Sequence, residues 1–347
     1  MSELLRARMI LAGCVTALTL AACGGGGGGD ASPAPGVVGN TPPTAPPTAP
    51  PTQPVIPNPL TPVPPVTNNP PIPGAPNAPV ATGNIALDGR EWINYRRGLI
   101  GMSTLTHSSV IDIAAQGHSD YQRINNTITH VQTPGKQGFT GAELADRLQS
   151  AGYVFNVNAS RAYGEVISAT NNGSGQYMAE ELITAIYHRF VIFEPVFKEI
   201  GTGAATTAQG YNYFTANFTA NNGYGTGLPS GQVAVWPFNG MAAVPRNFYS
   251  DTESPDPVPD RNEVGYPISV HANIDKSVRV TSFTVRPRGG ADLAVRLLTE
   301  TNDTHTGGSS AAIVPLAPLA PNTVYEVNFS GTVSGVAVSR SWTFTTL

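Results

Sequence analysis

The chain is poor in cysteine, poor in charge, and without a hydrophobic run long enough to stay in a bilayer. Its only two cysteines, Cys14 and Cys23, fall at the very start of 347 residues, so the remainder has no pair with which to form an internal disulfide. Stability must then come from burying a core, which the length allows. Only 12% of residues are charged and the formal net charge is −4, which argues against a nucleic-acid binder with its basic face. The apolar stretch Met9–Leu20 is too short to span a membrane as a permanent helix. Residues 31–80 contain no charged residue at all.

What is present begins with an address. Arg6 and Arg8 precede the apolar stretch in the manner of a signal peptide, and the stretch ends in Leu20-Ala21-Ala22-Cys23, which looks like a bacterial lipobox. That predicts a leader over residues 1–22 and a lipid on Cys23; a plain secretory signal cut nearby is the alternative. Six glycines after Cys23 supply the flexible tether that a lipid-anchored terminus needs. Gly24, with Asp30 only further on, points away from inner-membrane retention as in enteric lipoproteins. The expected location is therefore exported: outer membrane, periplasm or cell surface of a Gram-negative bacterium, with the membrane as partner through the lipid. Removing the leader, with its one acid and two bases, takes the formal charge from −4 to −5.

Residues 23–83 read as a tether. Residues 31–80 hold 19 prolines, in strings such as TPPTAPPTAPPTQP, which cannot pack a core and favour polyproline II. At about 3.1 Å per residue such a stalk reaches on the order of 150 Å.

A folded domain is expected over residues 84–224. Trp92, Ile93 and Tyr95 mark a first helix and Thr106 to Arg123 a second. Thr140 and Glu143 fit a capping box for a third over Gly141–Ser150. Ala162–Ser168 suggests a strand, Gly175–His188 a fourth helix, and Tyr211–Phe218 a half-buried strand. Most informative is Leu182–Gly203, LITAIYHRFVIFEPVFKEIGTG: an amphipathic helix that hands His188 to a turn, then a Gly-flanked extended run. A histidine there can line a cleft, or simply cap the helix end. From residue 232 to 347 nearly every signal is β, with turns at sandwich-like spacing. The segment Asp251–Asp260 gathers acids and prolines and reads as a solvated loop, with calcium the lesser alternative. The fold class is thus α+β followed by an all-β sandwich.

His107, His118, His130 and His188 lie in the first domain; His271 and His305 are expected at the surface of the second. His118 reads as a packing residue. Glu165, mid-strand beside Gly164, requires a partner, because burying an unpaired charge is costly. Several strings occur in the order seen in a known family: Asn94-Tyr95-Arg96, Ala115-Gln-Gly-His118-Ser119, His130, Asp146-Arg-Leu-Gln-Ser-Ala-Gly-Tyr153, Gly164-Glu165-Val166-Ile167, Tyr187-His188-Arg189 and Ile200-Gly201-Thr-Gly203. Together they resemble the CAP superfamily, which contains cysteine-rich secretory proteins, antigen 5 and pathogenesis-related 1 proteins, in its bacterial branch. The resemblance spans residues 84–222. It implies an α-β-α sandwich with a cleft lined by His130, His188 and Glu165; Val166 stands where Asn is usual, and neither Glu180 nor Glu181 aligns well as a second carboxylate. The C-terminal Leu319-Ala-Pro-Asn-Thr-Val-Tyr325-Glu-Val327 resembles bacterial Ig-like domains, with Tyr325 as a buried anchor.

Three functions compete. The favoured one is a binding or display module whose cleft takes a sterol-like or other apolar molecule, a metal, or an envelope or host partner. The run Phe190, Ile192, Phe193, Val196 and Phe197 could line a groove, although plain core packing is the commoner fate of such residues. The second is a metal-dependent hydrolase or peptidase using His130, His188 and Glu165. Zinc or another divalent metal is the implied ion, but two histidines alone make a poor site. The third is a structural or adhesive surface protein.

Overall fold

The computed structural model describes residues 77–347 and the backbone of Thr19–Ala21. Cys23, the rest of the leader and the stalk up to residue 76 lie outside the described residues. The folded part starts earlier than residue 84. Gln176 donates to the Pro79 carbonyl at 2.7 Å, and Asp88 accepts the backbone N–H groups of Thr82 and Gly83. The last residues assigned to the tether are therefore docked.

Thr19–Ala21 (β1) is followed by helix α1 (Ile85–Leu99), capped by the Asn84 side chain on the Leu87 N–H. Thr106–His107 form a short strand, β2, so α2 starts only at Ser109 and runs to Asn125. Helix α3 (Leu144–Ser150) begins three residues later than expected. Thr140 is held by Gln132, and the capping role passes to Glu143, whose N–H is donated to Asp146. Then come β3 (Ala162–Thr170), α4 (Gly175–Thr184), α5 (Ile186–Ile192), β4 (Glu199–Thr206) and β5 (Asn212–Ala220).

The five strands lie in the order β1-β3-β5-β4-β2, with β5 antiparallel to both of its neighbours. Helices cover both faces, so all nine residues of β5 are buried rather than alternate ones. Gly201 and Gly203 explain the Gly-Thr-Gly string: a Cβ on either would lie 2.4 or 2.2 Å from the α2 backbone, at Asp112 and Gln116. These glycines let α2 lie directly on β4.

The expected fourth helix is broken. Ala185 is extended (φ −70, ψ 124), which frees carbonyls at the end of α4 and N–H groups at the start of α5. Arg189 takes the carbonyls of Ile183 and Thr184. The N–H groups go to Glu253. His188 thus sits inside a second short helix, not at a turn.

The remaining chain is β: β6 (Ala234–Trp236), β7 (Met241–Val244), β8 (Asn247–Tyr249), β9 (Glu263–Gly265), β10 (Ile268–His271), β11 (Val278–Pro287), β12 (Val295–Leu298), β13 (Ser310–Pro315), β14 (Val324–Val333) and β15 (Val336–Thr346). They form two four-stranded sheets, β12-β13-β10-β6 and β11-β14-β15-β7, and the pair β8-β9. Tyr325 is buried and its hydroxyl accepts the Ala320 N–H at 2.8 Å, as a buried anchor should.

One hydrophobic core is continuous from the helices into these sheets. The ring of Phe193 meets that of Trp236 at 5.1 Å, and the Arg96 guanidinium lies 5.4 Å from the Trp236 ring. Phe190, Ile192, Phe193, Val196 and Phe197 are all buried, so this run is core, not the lining of a groove. His271, expected at the surface, is buried between Phe190 and Phe193 and hydrogen-bonds Ser269. Its imidazole is held well below its ordinary pKa by burial, then by the Arg189 and Arg97 charges. Among the described residues no helix is long and apolar enough to cross a membrane.

Candidate functional site

Side chains alternate along β3, so Glu165 faces α2 and α3 while Ser168 faces α4 and α5. The predicted site residues divide between these two faces.

On the first face Glu165 is the centre. It is 2% exposed; its Oε1 lies 2.8 Å from His130 Nδ1, and Arg147 Nη2 donates to both carboxylate oxygens at 2.7 and 2.9 Å. Arg147 Nη1 donates to the carbonyls of His130 and Ala142, which fixes the loop that carries His130. Burial by itself would raise the Glu165 pKa, but the facing His118 and Arg147 and the His130 hydrogen bond outweigh it and hold it at about 2. An ionised carboxylate only accepts, so His130 carries a proton on Nδ1.

His118 lies 3.8 Å from the same carboxylate but is occupied. Its Nε2 donates to the Thr129 carbonyl at 2.7 Å and its Nδ1 accepts from Gln132 at 2.9 Å. Burial lowers its pKa to about 4. His118 is neutral and structural, as its helical setting suggested. Ser119 donates to Gly203 and Thr215, so it is no nucleophile.

On the second face His188 is 6% exposed, with Nδ1 3.0 Å from Glu253 Oε1. Glu253 also accepts the N–H groups of Ile186, Tyr187 and His188. The acid-rich loop around it was expected to be solvated; the structure buries Glu253 and Val258 instead. Of the two candidate second carboxylates, Glu180 is committed to the Trp92 indole and to Arg96. Glu181 accepts from Ser168 at 3.0 Å; burial raises its pKa, while Ser168 and His188 pull it down.

The structure therefore pairs His130 with Glu165 and His188 with Glu253. Among the described residues no three His, Cys, Asp or Glu side chains come together in a way that could hold a metal ion. With Glu165 spent on Arg147, the donors present do not fit a three-ligand zinc centre. Sequence reasoning missed Arg147 and Glu253. Arg147 lies in the string Asp146–Tyr153, and only the need of Glu165 for a counter-charge marks it. Glu253 is 65 residues from His188, and no local signal links the two.

Residues 91–218 match the model of the CAP family, described as the cysteine-rich secretory protein family. No curated protein matches the chain. Among solved structures, an extracellular protein containing an SCP domain from Bacillus anthracis str. Ames is 23% identical, with a TM-score of 0.32 over 39% of this chain and 39% of that one. An outer surface protein from Borrelia burgdorferi is 15% identical, with a TM-score of 0.32 over 38% of this chain and 89% of that one. This chain thus spans 39% of the length of the Bacillus anthracis protein. The helix–sheet–helix unit that carries His130, Glu165 and His188 is a CAP domain, and the chain continues beyond it into an all-β region.

Proposed function

We propose that this is an exported CAP-domain protein that works as a binding and display module at the cell envelope. In this reading the leader is cleaved and β1 with it, so the mature sheet keeps β3-β5-β4-β2; a lipid on Cys23 anchors the protein, the proline-rich stalk holds it clear of the membrane, and His130, Glu165 and His188 are its recognition residues. Leader, glycines and stalk support the location; the ligand is an apolar small molecule or an envelope partner.

The commitment of Glu165 carries the choice of binding over hydrolysis. A hydrolase built on His130 and His188 would need Glu165 as ligand or general base. Both of its oxygens are already held by Arg147, and a carboxylate at about 2 is far too weak a base for work near neutral pH. The Nε2 of His130, by contrast, has no hydrogen-bond partner among the described residues and is suited to meet a polar group of a bound molecule.

Native mass spectrometry of the soluble protein carrying Cys23→Ser, recovered from an envelope extract, tests this beside a His130→Ala/His188→Ala version. A stoichiometric adduct or retained envelope partner lost in the double variant supports the reading. Equal occupancy in both removes the histidines from recognition. Hydrolysis of a peptide or ester pool, lost in the double variant, would install the hydrolase instead.

A further inference from the structure

The CAP match ends at residue 218, yet the closest partner of His188 comes from beyond it. Glu253 follows a single 3₁₀ turn, Ser250–Thr252, in the loop between β8 and β9 of the all-β region. Its carboxylate is fully buried. Oε1 takes the N–H groups of Tyr187 at 2.7 Å and His188 at 3.2 Å, and stands 3.0 Å from His188 Nδ1. Oε2 takes the Ile186 N–H at 2.8 Å.

These contacts do two separable things. The backbone contacts close the N-terminus of α5, which the break at Ala185 would otherwise leave with unsatisfied donors. The side-chain contact acts on the imidazole. An acceptor on Nδ1 selects the tautomer protonated there and leaves the Nε2 lone pair free. Glu165 does the same to His130 on the opposite face of β3. Two imidazoles, on two different elements, thus meet a buried carboxylate through the same ring nitrogen.

We propose that Glu253 is a positioning residue of the recognition site: it fixes His188 in the Nδ1–H tautomer, so that the CAP domain's second histidine is set by the all-β region. The site is completed across the domain boundary. The all-β region is then part of the binding apparatus and not only a passive appendage. This rests on His188 being a recognition residue, but the orientation itself can be tested without any ligand.

The test is the tautomer, read by long-range 1H–15N correlation on the full chain carrying Cys23→Ser and labelled with 15N-histidine. His188 and His130 are each assigned from its alanine variant. In the parent protein both should show a protonated Nδ1. Glu253→Ala should move His188 to the Nε2-protonated form and leave His130 unchanged. Glu253→Gln keeps an acceptor oxygen near Nδ1, although the Ile186 N–H loses its partner, and should retain the parent pattern. A His188 protonated on Nε2 in the parent overturns the proposal, as does a Glu253→Ala protein with His188 unmoved. If Glu253→Ala does not fold, the parent and Glu253→Gln spectra decide: a shift in either to Nε2 protonation overturns it. A correct tautomer beside a failed ligand search would sink the binding function and leave only the control of the His188 tautomer by Glu253 standing.

Discussion

Arg147 holds both oxygens of Glu165 with one guanidinium nitrogen and the carbonyl of His130 with the other. One side chain therefore neutralises the buried acid of the site and sets the loop that presents its histidine. Arg147→Ala leaves Glu165 buried with its main counter-charge gone. The expected loss is about 3–5 kcal/mol of stability, read by urea unfolding. Arg147→Lys, a single point of charge, should recover only part of it. An alanine variant as stable as the parent would mean that water replaces Arg147.

Acid should act on this centre in two stages. The His118 pKa falls from 6.5 to about 4 on folding, so the unfolded chain binds the extra proton first. Its contribution is complete above about pH 6.5 and is lost as pH drops toward 4. The Glu165 pKa falls from 4.5 to about 2, so its contribution is lost as pH drops further through that window. Stability measured from pH 7 to pH 2 should show both slopes. His118→Gln, which can keep one of the two hydrogen bonds, should remove the upper one alone.

Glu194 predicts the opposite trend. It is buried, accepts the N–H groups of Val196 and Ile274, and has its pKa raised by burial from 4.5 to about 8 despite those bonds and Arg97. Below about pH 4.5 its contribution is complete, and it is lost as pH rises through 8. Glu194→Gln should flatten stability over this range. A Glu194→Gln protein whose stability follows the same pH dependence as the parent between pH 5 and 9 would show that Glu194 ionises without cost.

The continuous core makes a prediction about cooperativity. Trp236, on the first strand of the all-β region, is buried against Phe193 of the CAP domain. Trp236→Ala should cost about 3–5 kcal/mol and lower one shared unfolding transition. Two calorimetric transitions in the parent, only one of them moved by the variant, would instead mark independent domains.

Leader and stalk make separate claims. Cys23→Ser should move the protein from the detergent phase to the soluble fraction, and unchanged partitioning would exclude a lipid on Cys23. Limited proteolysis should cut within residues 31–76 and leave the docked chain from about Asn77 onward as one resistant piece. Cleavage between the two domains at a comparable rate would contradict the shared core.

Much of the CAP domain was legible because its signals are local. Helix periodicity around Trp92 and Ile111, the strand around Glu165 and the Gly-Thr-Gly string each reflect what neighbouring residues need from one another. In the all-β region the short strands β7, β8 and β9 carry too little pattern in three or four residues to be placed locally, and β13, Ser310–Pro315, is buried throughout and shows no alternation.

The sequence by itself determined that the acid at Glu165 would need a partner and that a run as apolar as Phe190–Phe197 would be more at home in a core. These follow from the cost of burying charge and the gain from burying apolar surface. Tertiary structure alone decided that the partner is Arg147, that the fourth helix breaks at Ala185, that His271 is interior, and that Glu253 reaches His188. Each of these joins groups far apart in sequence, or settles where a freed backbone donor or a buried charge finds its complement. Such pairings are fixed by which surfaces meet, and no local pattern encodes them.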